Sequence, residues 1–402
     1  MTAVDERISG AVPNTAADIL AAVKAITPEL RSRSAEIEQA RRLPSDVVAL
    51  LRGTGVLRMG FAKEFGGPEL NSMEQTEILE ALAYADTSVG WCGMIGMDGG
   101  LYSTYLAPTA VRTLFPSPDT ATAGFVSPLG RAERVDGGYL LSGHWPLGGG
   151  ITHADVVAAG AFTYTNGTRD VNANGNPNWL VMLVPIKEVR LIDNWYATGL
   201  SGSGSLDYEI TEAFVPEEHT ITFGRPKSRS GPLAAPDALL RKMPGVPLGA
   251  ARAALDFARE VAGTKVNKAT GARGADDYRV QFTLGQCEMD YLAMRHAVYG
   301  SLEHKWQRLA AGANYEDLTA EEQVGTVLLA LNAFRGSLAI VRRLYDLLGT
   351  ASIYKPSPMD RWLRDLTTMC QHVMAHDVIV QSAGAHLLGG KPRFPFAVGR
   401  TA

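Results

Sequence analysis

The chain has 402 residues, 46% of them apolar and 20% charged, the balance of a folded globular protein rather than a disordered one. Thirty-eight Lys and Arg against 42 Asp and Glu leave a formal charge of −4, without the basic run by which a nucleic-acid partner would be held. Its three cysteines, Cys92, Cys287 and Cys370, are far apart and form no CxxC pair. Neither a disulfide framework nor a cysteine zinc centre is expected, and a reduced, cytoplasmic setting fits. The N-terminal residues show no basic-then-apolar leader, and the apolar run 180–184 is too short to span a bilayer, so no membrane partner is expected either.

In chain order, residues 1–118 read as a helical domain. Residues 16–42 place apolar side chains three and four apart among Ala, Glu, Lys and Arg. Ser72-Met-Glu-Gln75 has the spacing of a capping box and predicts a helix over 73–84. Another helix is predicted from about Ser88, carrying Trp91, Ile95 and Tyr102. Residues 119–223 change to β texture. A tight turn is expected at Val135-Asp-Gly-Gly-Tyr139, strands over 154–161, 179–185 and 206–215, and a polar loop over 165–178. The proline-rich stretch from 224 to 245 predicts a long surface connection. Helical stretches over 249–268, 279–309, 320–349 and 359–388 then predict a four-helix bundle within a C-terminal domain, 224–402. The fold class is therefore α+β: helices, a small β-barrel or sandwich, and a helical bundle.

The last stretch is the most regular. Trp362, Leu366, Met369, Val373, His376, Val380, Ala383 and Leu387 step by four and three, the pattern of a seam facing other helices. His376 in that seam reads as a core histidine with a hydrogen-bond partner. His372 and His376 are four apart, but Val373 stands where a zinc-protease helix would need Glu, so no metal site is expected. Leu147-Gly-Gly-Gly150 and Gly199-Leu-Ser-Gly-Ser-Gly-Ser205 fit neither a GxGxxG turn nor a P-loop. They read as turns, or as backbone able to lie against a flat polar ligand.

Taken together, several short motifs resemble the acyl-CoA dehydrogenase superfamily along almost the whole chain. They are Phe65-Gly-Gly-Pro-Glu-Leu70, Glu77-Ile-Leu-Glu-Ala-Leu-Ala-Tyr-Ala-Asp86 with Trp91, Gly137-Gly-Tyr-Leu-Leu-Ser-Gly-His-Trp145, His153-Ala-Asp155, Asp193-Asn-Trp195 and Phe214-Val-Pro-Glu217. Ser357-Pro-Met-Asp-Arg361, Arg364-Asp365 and Gln371-His372 resemble its flavin-dependent monooxygenase branch. The resemblance implies a reduced flavin, FMN or FAD, a separate flavin reductase that supplies it, a small-molecule substrate, and a homotetramer whose subunits complete each other's sites. Ser127, Trp145, Gly149 and Ser203 match positions along the isoalloxazine and its linker. Arg279 and Phe282 match a segment reaching a cofactor phosphate, where a guanidinium pairs well. Gly349 and Thr350 match the turn that approaches it from another subunit. His372 matches the expected catalytic base, which would deprotonate a phenol or similar group.

The branch decides the chemistry. A dehydrogenase needs a carboxylate base for the α proton of an acyl-CoA, and at its usual place this chain has Lys355 in Ile353-Tyr-Lys-Pro-Ser357. A dehydrogenase or oxidase with its base elsewhere is the alternative reading, and a non-catalytic flavin-binding protein the second. Two departures from the monooxygenase pattern stand out. Gly149-Gly150 replaces a Ser-Gly, removing a hydroxyl, and Asp98 stands where a second histidine is common.

Overall fold

The computed structural model describes residues 12–266, 271–355 and 357–399. Its N-terminal region folds as α1 (Ala16–Ala40), α2 (Ser45–Gly53), α3 (Ser72–Ala85), α4 (Thr87–Gly96), α5 (Gly99–Ser103) and α6 (Pro108–Leu114). The capping box of α3 lies one residue earlier than the spacing predicts. Asn71 accepts the Glu74 amide at 2.9 Å while the Glu74 carboxylate accepts the Asn71 amide, also at 2.9 Å. Two boxes overlap in the sequence, and a carboxylate answers the positive helix terminus better than the Gln75 amide does. Asp86 caps α4 by accepting from the Ser88 and Val89 amides. The helix expected to reach Tyr102 ends at Gly96, and Tyr102 rides on α5.

The β region comprises β1 (Thr122–Val135), β2 (Gly138–Gly148), β3 (Val156–Thr165), β4 (Thr168–Arg169), β5 (Trp179–Pro185), β6 (Arg190–Ile192), β7 (Leu206–Pro216) and β8 (Thr220–Ile221). They form one mixed sheet in the order β6-β7-β2-β1-β3-β5-β8, with β4 paired to β3. β1 runs parallel to β3 and antiparallel to β2, and the Asp136-Gly137 turn closes that hairpin. The polar stretch after β3 is partly ordered into β4 rather than being all loop. Alternate residues of the strands enclose a separate core that includes Leu141, Trp145, Tyr208 and Ile210.

Helices resume with α7 (Ala238–Arg241), α8 (Gly245–Thr264), α9 (Tyr278–Ala310), α10 (Ala320–Leu348), α11 (Thr350–Ile353), α12 (Pro358–Met369) and α13 (Asp377–Leu387). The predicted end of the first bundle helix, residue 268, lies outside the described residues. Ile19, Leu79, Leu82, Leu248, Phe334 and Leu366 belong to one continuous core, so the N-terminal helices and the bundle are packed as one body. α10 has an 18-residue window of mean hydropathy 1.7, apolar enough by composition to cross a membrane, and 56% of that window is buried inside the fold.

Two expectations fail here. The connection before α8 is a surface loop only over 224–232, because Leu233 to Ala235 and Asp237 to Lys242 are buried. Its charges are paired internally: the Asp237 carboxylate accepts from Lys305 at 2.8 Å and also binds Arg241. That carboxyl is consequently held well below the usual carboxylate range by the two cations, despite its burial. The continuous last helix is also absent. α12 stops at Met369, His372 is extended, a short 3-10 turn covers Val373–Ala375, and α13 starts at Asp377. The freed Ala375 carbonyl is taken by Arg335 of α10 at 2.8 Å, which also binds Asp377. A tertiary partner thus overrides the helical period. His376 is exposed rather than a core residue, and Val380 and Leu387 are exposed as well, so the seam breaks after Met369.

Candidate functional site

Three parts of the fold meet at Trp91, Gly149 and His372. Trp91 projects from α4, Gly149 follows the last residue of β2, and His372 sits in the break between α12 and α13. The His372 imidazole packs edge-on to the Trp91 indole, with ring centroids 5.5 Å apart and planes at 78°. On the other side, a Cβ placed on Gly149 would lie 3.2 Å from Trp91 Nε1 and 3.5 Å from Ile95. Gly149 is therefore the position at which the backbone reaches the indole N–H.

Both rings leave a polar atom free among the described residues. The Trp91 N–H has no hydrogen-bond acceptor. His372 Nδ1 accepts the Met374 amide at 3.3 Å, while Nε2 has no partner. Because Nδ1 accepts, the neutral ring carries its proton on Nε2. Burial, helped by the neighbouring His376, pushes the His372 imidazole down to about 4, so it is neutral at pH 7.

The chain around Gly149 is held under constraint. Leu147 has φ 60, a left-handed conformation uncommon for a leucine, and is exposed. The Gly150 amide donates to the Ser203 carbonyl at 2.9 Å, and the Cys92 thiol contacts that same carbonyl at 3.5 Å. Ser127 and Leu129, on the irregular part of β1, are exposed like Leu147.

Of the residues expected at the cofactor, Ser127 is exposed on β1 and Gly149 is buried against Trp91. Trp145 and Ser203 are buried as well. Trp145 is fully enclosed, stacks on Tyr208 at 5.4 Å, and donates its N–H to the Gly160 carbonyl at 2.8 Å. Ser203 is fully enclosed and shares a 2.8 Å hydrogen bond with Ser205. Inward strand alternation puts Trp145 in the β core, and Ser203 is buried in the turn Ser201–Ser203. Arg279 and Phe282 stand exposed on the first turn of α9, Phe282 stacked on Tyr278 at 6.0 Å. Gly349 and Thr350 are exposed at the start of α11. Neither pair shares a hydrogen bond or ring contact with the Trp91–His372 cluster within one chain.

Sequence reasoning missed His153 and Asp365. His153 lies beneath Gly150, with Nδ1 buried and unpartnered, and burial pushes its imidazole down to about 4. Asp365, on α12, accepts the Leu200 amide at 2.7 Å and is pushed up to about 7 by burial. A Cβ at Gly199 would meet the Arg364 carbonyl at 2.2 Å, which is why α12 can lie against this loop. Both residues stand in quoted motifs, but no local spacing reveals that they are buried. Asp98 points away from histidine chemistry. Its carboxylate binds Lys242 Nζ at 2.5 Å, and both are buried.

Residues 17–108 match the family described as acyl-CoA dehydrogenase, N-terminal domain, and residues 244–377 match acyl-CoA dehydrogenase, C-terminal domain, together more than half of the chain. An indole-3-acetate monooxygenase of Acinetobacter baumannii is 28% identical over 373 residues, 92% of this chain and 94% of that protein. The flavin-dependent monooxygenase oxygenase subunit HsaA of Mycobacterium tuberculosis is 27% identical over 379 residues, 91% of this chain and 92% of that one. XiaF from a Streptomyces species, solved with FADH2 and glycerol, superposes with a TM-score of 0.85 at 25% identity, covering 94% of this chain and 96% of that one. The chain belongs to the acyl-CoA dehydrogenase superfamily, and the curated relatives it matches are monooxygenases.

Proposed function

We propose that the chain is the oxygenase component of a two-component monooxygenase. It takes reduced FMN or FAD from a separate reductase and uses O2 to hydroxylate a small aromatic or heteroatom-bearing substrate. The observation that carries this reading is the edge-on packing of His372 on Trp91, two neutral rings each with an N–H that has no acceptor among the described residues, with the Gly149 backbone against the Trp91 N–H. An acyl-CoA dehydrogenase would need a carboxylate base there, and Lys355 is exposed instead.

The residues fit a flavin ring. Ser127, Leu129 and Leu147 offer an exposed platform on the β region, and the unpaired Trp91 N–H offers a donor at its edge. Bound reduced flavin supplies the electron pair that activates oxygen. The chain supplies position, dryness and proton placement. His372, its proton held on Nε2 by the Met374 contact, would orient a substrate oxygen by hydrogen bond, and the expected base role would require that proton to leave Nε2 first. A depressed imidazole pKa makes it a weak base for a phenol, which points the same way.

A homotetramer completes the site in this reading. Tyr278, Phe282, Met289 and Leu292 on α9, and Ile353 and Tyr354 after α10, are large and exposed. Such apolar surface suits contact with further copies, bringing Arg279, Gly349 and Thr350 to a cofactor phosphate. Cytoplasmic location remains part of the same proposal.

Stopped-flow mixing of the protein with chemically reduced flavin and then O2 tests the function. Flavin reoxidation slower than in free solution, and product from indole-3-acetate or a phenol, are expected. Reoxidation at the free rate, without product, would overturn it.

A further inference from the structure

His372 reaches the Trp91 ring from a stretch of chain outside any α-helix, so its aim depends on what fixes that stretch. The His372 amide ends α12 on the Met369 carbonyl at 3.0 Å, and the Ala375 amide closes the following turn on the His372 carbonyl at 2.9 Å. Inside that turn the Met374 amide reaches His372 Nδ1 at 3.3 Å, the contact that sets the tautomer of the ring. The exit of the turn is its weak point. In an unbroken helix the Ala375 carbonyl would accept the Ile379 amide, but that amide bonds the His376 carbonyl at 3.1 Å instead. His376, at the cap position of α13, makes no side-chain bond to the helix start.

Arg335 of α10 supplies what is missing. Its Nε donates to the Ala375 carbonyl at 2.8 Å and its Nη2 to Asp377 at 2.7 Å, so one planar group ties the end of the turn to the first residue of α13. The preceding residue of α10 meets the other flank, where the Cys370 thiol contacts the Phe334 carbonyl at 3.4 Å. Met374 and Ala375 are buried on the inner side of the break. Its outer side lies open along a cavity of about 500 Å³, whose wall includes Arg335, Gln371, Ala375 and His376. No packed layer covers the turn there, and the guanidinium does the holding. A hydrogen bond from a charged donor is about twice as strong as a neutral one, which suits it to that place.

We propose that Arg335 is a positioning residue for His372: through the Ala375 carbonyl it holds the turn that fixes the tautomer of the imidazole and its aim at Trp91. The inference rests on the monooxygenase reading only for what His372 does to a substrate. Nuclear magnetic resonance of the full-length protein, labelled with 15N-histidine and held at pH 7, tests it, with His372→Gln identifying the His372 signals. The wild-type ring is expected in one form, protonated on Nε2. In Arg335→Met the form protonated on Nδ1 is expected to rise about five- to tenfold, the worth of one hydrogen bond. Asp377→Asn weakens the ion pair but leaves the Ala375 contact, and is expected to keep the wild-type signals. Melting curves verify folding, and Arg335→Gln is read in the same way if the methionine variant does not fold.

Unchanged His372 signals in the folded Arg335 variant, or an equal change in Asp377→Asn, overturn the assignment. Product formation gives a second reading. Arg335→Met is expected to lose about tenfold or more, since a small misplacement of a reacting group is costly. In the His372→Ala background the same change is expected to cost nothing further, because both act through one group. Additive losses would mean that Arg335 serves the fold and not His372. A wild type that forms no product refutes the monooxygenase reading and leaves the tautomer test to decide the role of Arg335, so the two failures are distinguishable.

Discussion

The imidazole of His372 stands edge-on to the indole of Trp91 at 5.5 Å, so a side chain from the bundle and one from the N-terminal helices frame the same space. Each contributes a donor with no protein acceptor among the described residues. Replacing Trp91 by Phe keeps most of the packing and removes only the N–H. Flavin affinity is expected to fall about two- to tenfold, the worth of one neutral hydrogen bond, with a shift in the bound-flavin absorption spectrum. An unchanged spectrum and affinity would remove Trp91 from the cofactor site.

Changing His372 separates binding from turnover. His372→Ala is expected to bind flavin nearly as wild type while product formation drops at least about a hundredfold, in the range of a lost acid–base or positioning group. His372→Gln, which still offers an N–H donor but cannot serve as a base, is expected to recover part of the rate. Equal loss in both variants would restore the base role. The readout is product formed per reduced flavin consumed.

Much of this arrangement was legible beforehand, and what was not has physical causes. Period and capping located α1, α3, β3, β5, β7 and the long helices α8, α9 and α10 within a few residues. The break at His372 was invisible because residues 369–377 contain neither Gly nor Pro; Arg335, far away in sequence, supplies the stabilising contacts. Trp145 matched a motif position, but only the strand register shows that its indole points into the β core.

Asp365 couples the Leu200 loop to α12 through one hydrogen bond, and its charge is disfavoured by burial. Its folded pKa, near 7, lies above the usual carboxyl value, so the folded state holds the proton that the unfolded chain releases. Stability is therefore lost as pH rises from about 4 to about 7. Asp365→Asn keeps an acceptor oxygen without the charge. It is expected to melt higher than wild type at pH 8, with the gap narrowing at pH 5 and closing by about pH 4. Asp365→Ala strands the Leu200 amide and is expected to cost about 1–3 kcal/mol at both pH values. An asparagine variant less stable at pH 8 would show that the carboxylate is needed ionised.

The two depressed histidines act in acid. His372 and His153 are pushed down to about 4 by burial, whereas an unfolded histidine titrates near 6.5. Below about pH 6.5 the unfolded chain gains protons that the folded chain refuses, so each group removes up to about 1.4 kcal/mol of stability per pH unit down to about pH 4. His153 is the cleaner test because it lies under Gly150 and its Nδ1 is unpartnered. His153→Gln is expected to flatten the fall of the melting temperature between pH 7 and pH 5, while its value at pH 7 moves little. Parallel melting curves for wild type and variant across that range would mean that His153 is protonated in the folded protein, and that Arg52, whose guanidinium binds the His153 carbonyl, does not keep it neutral.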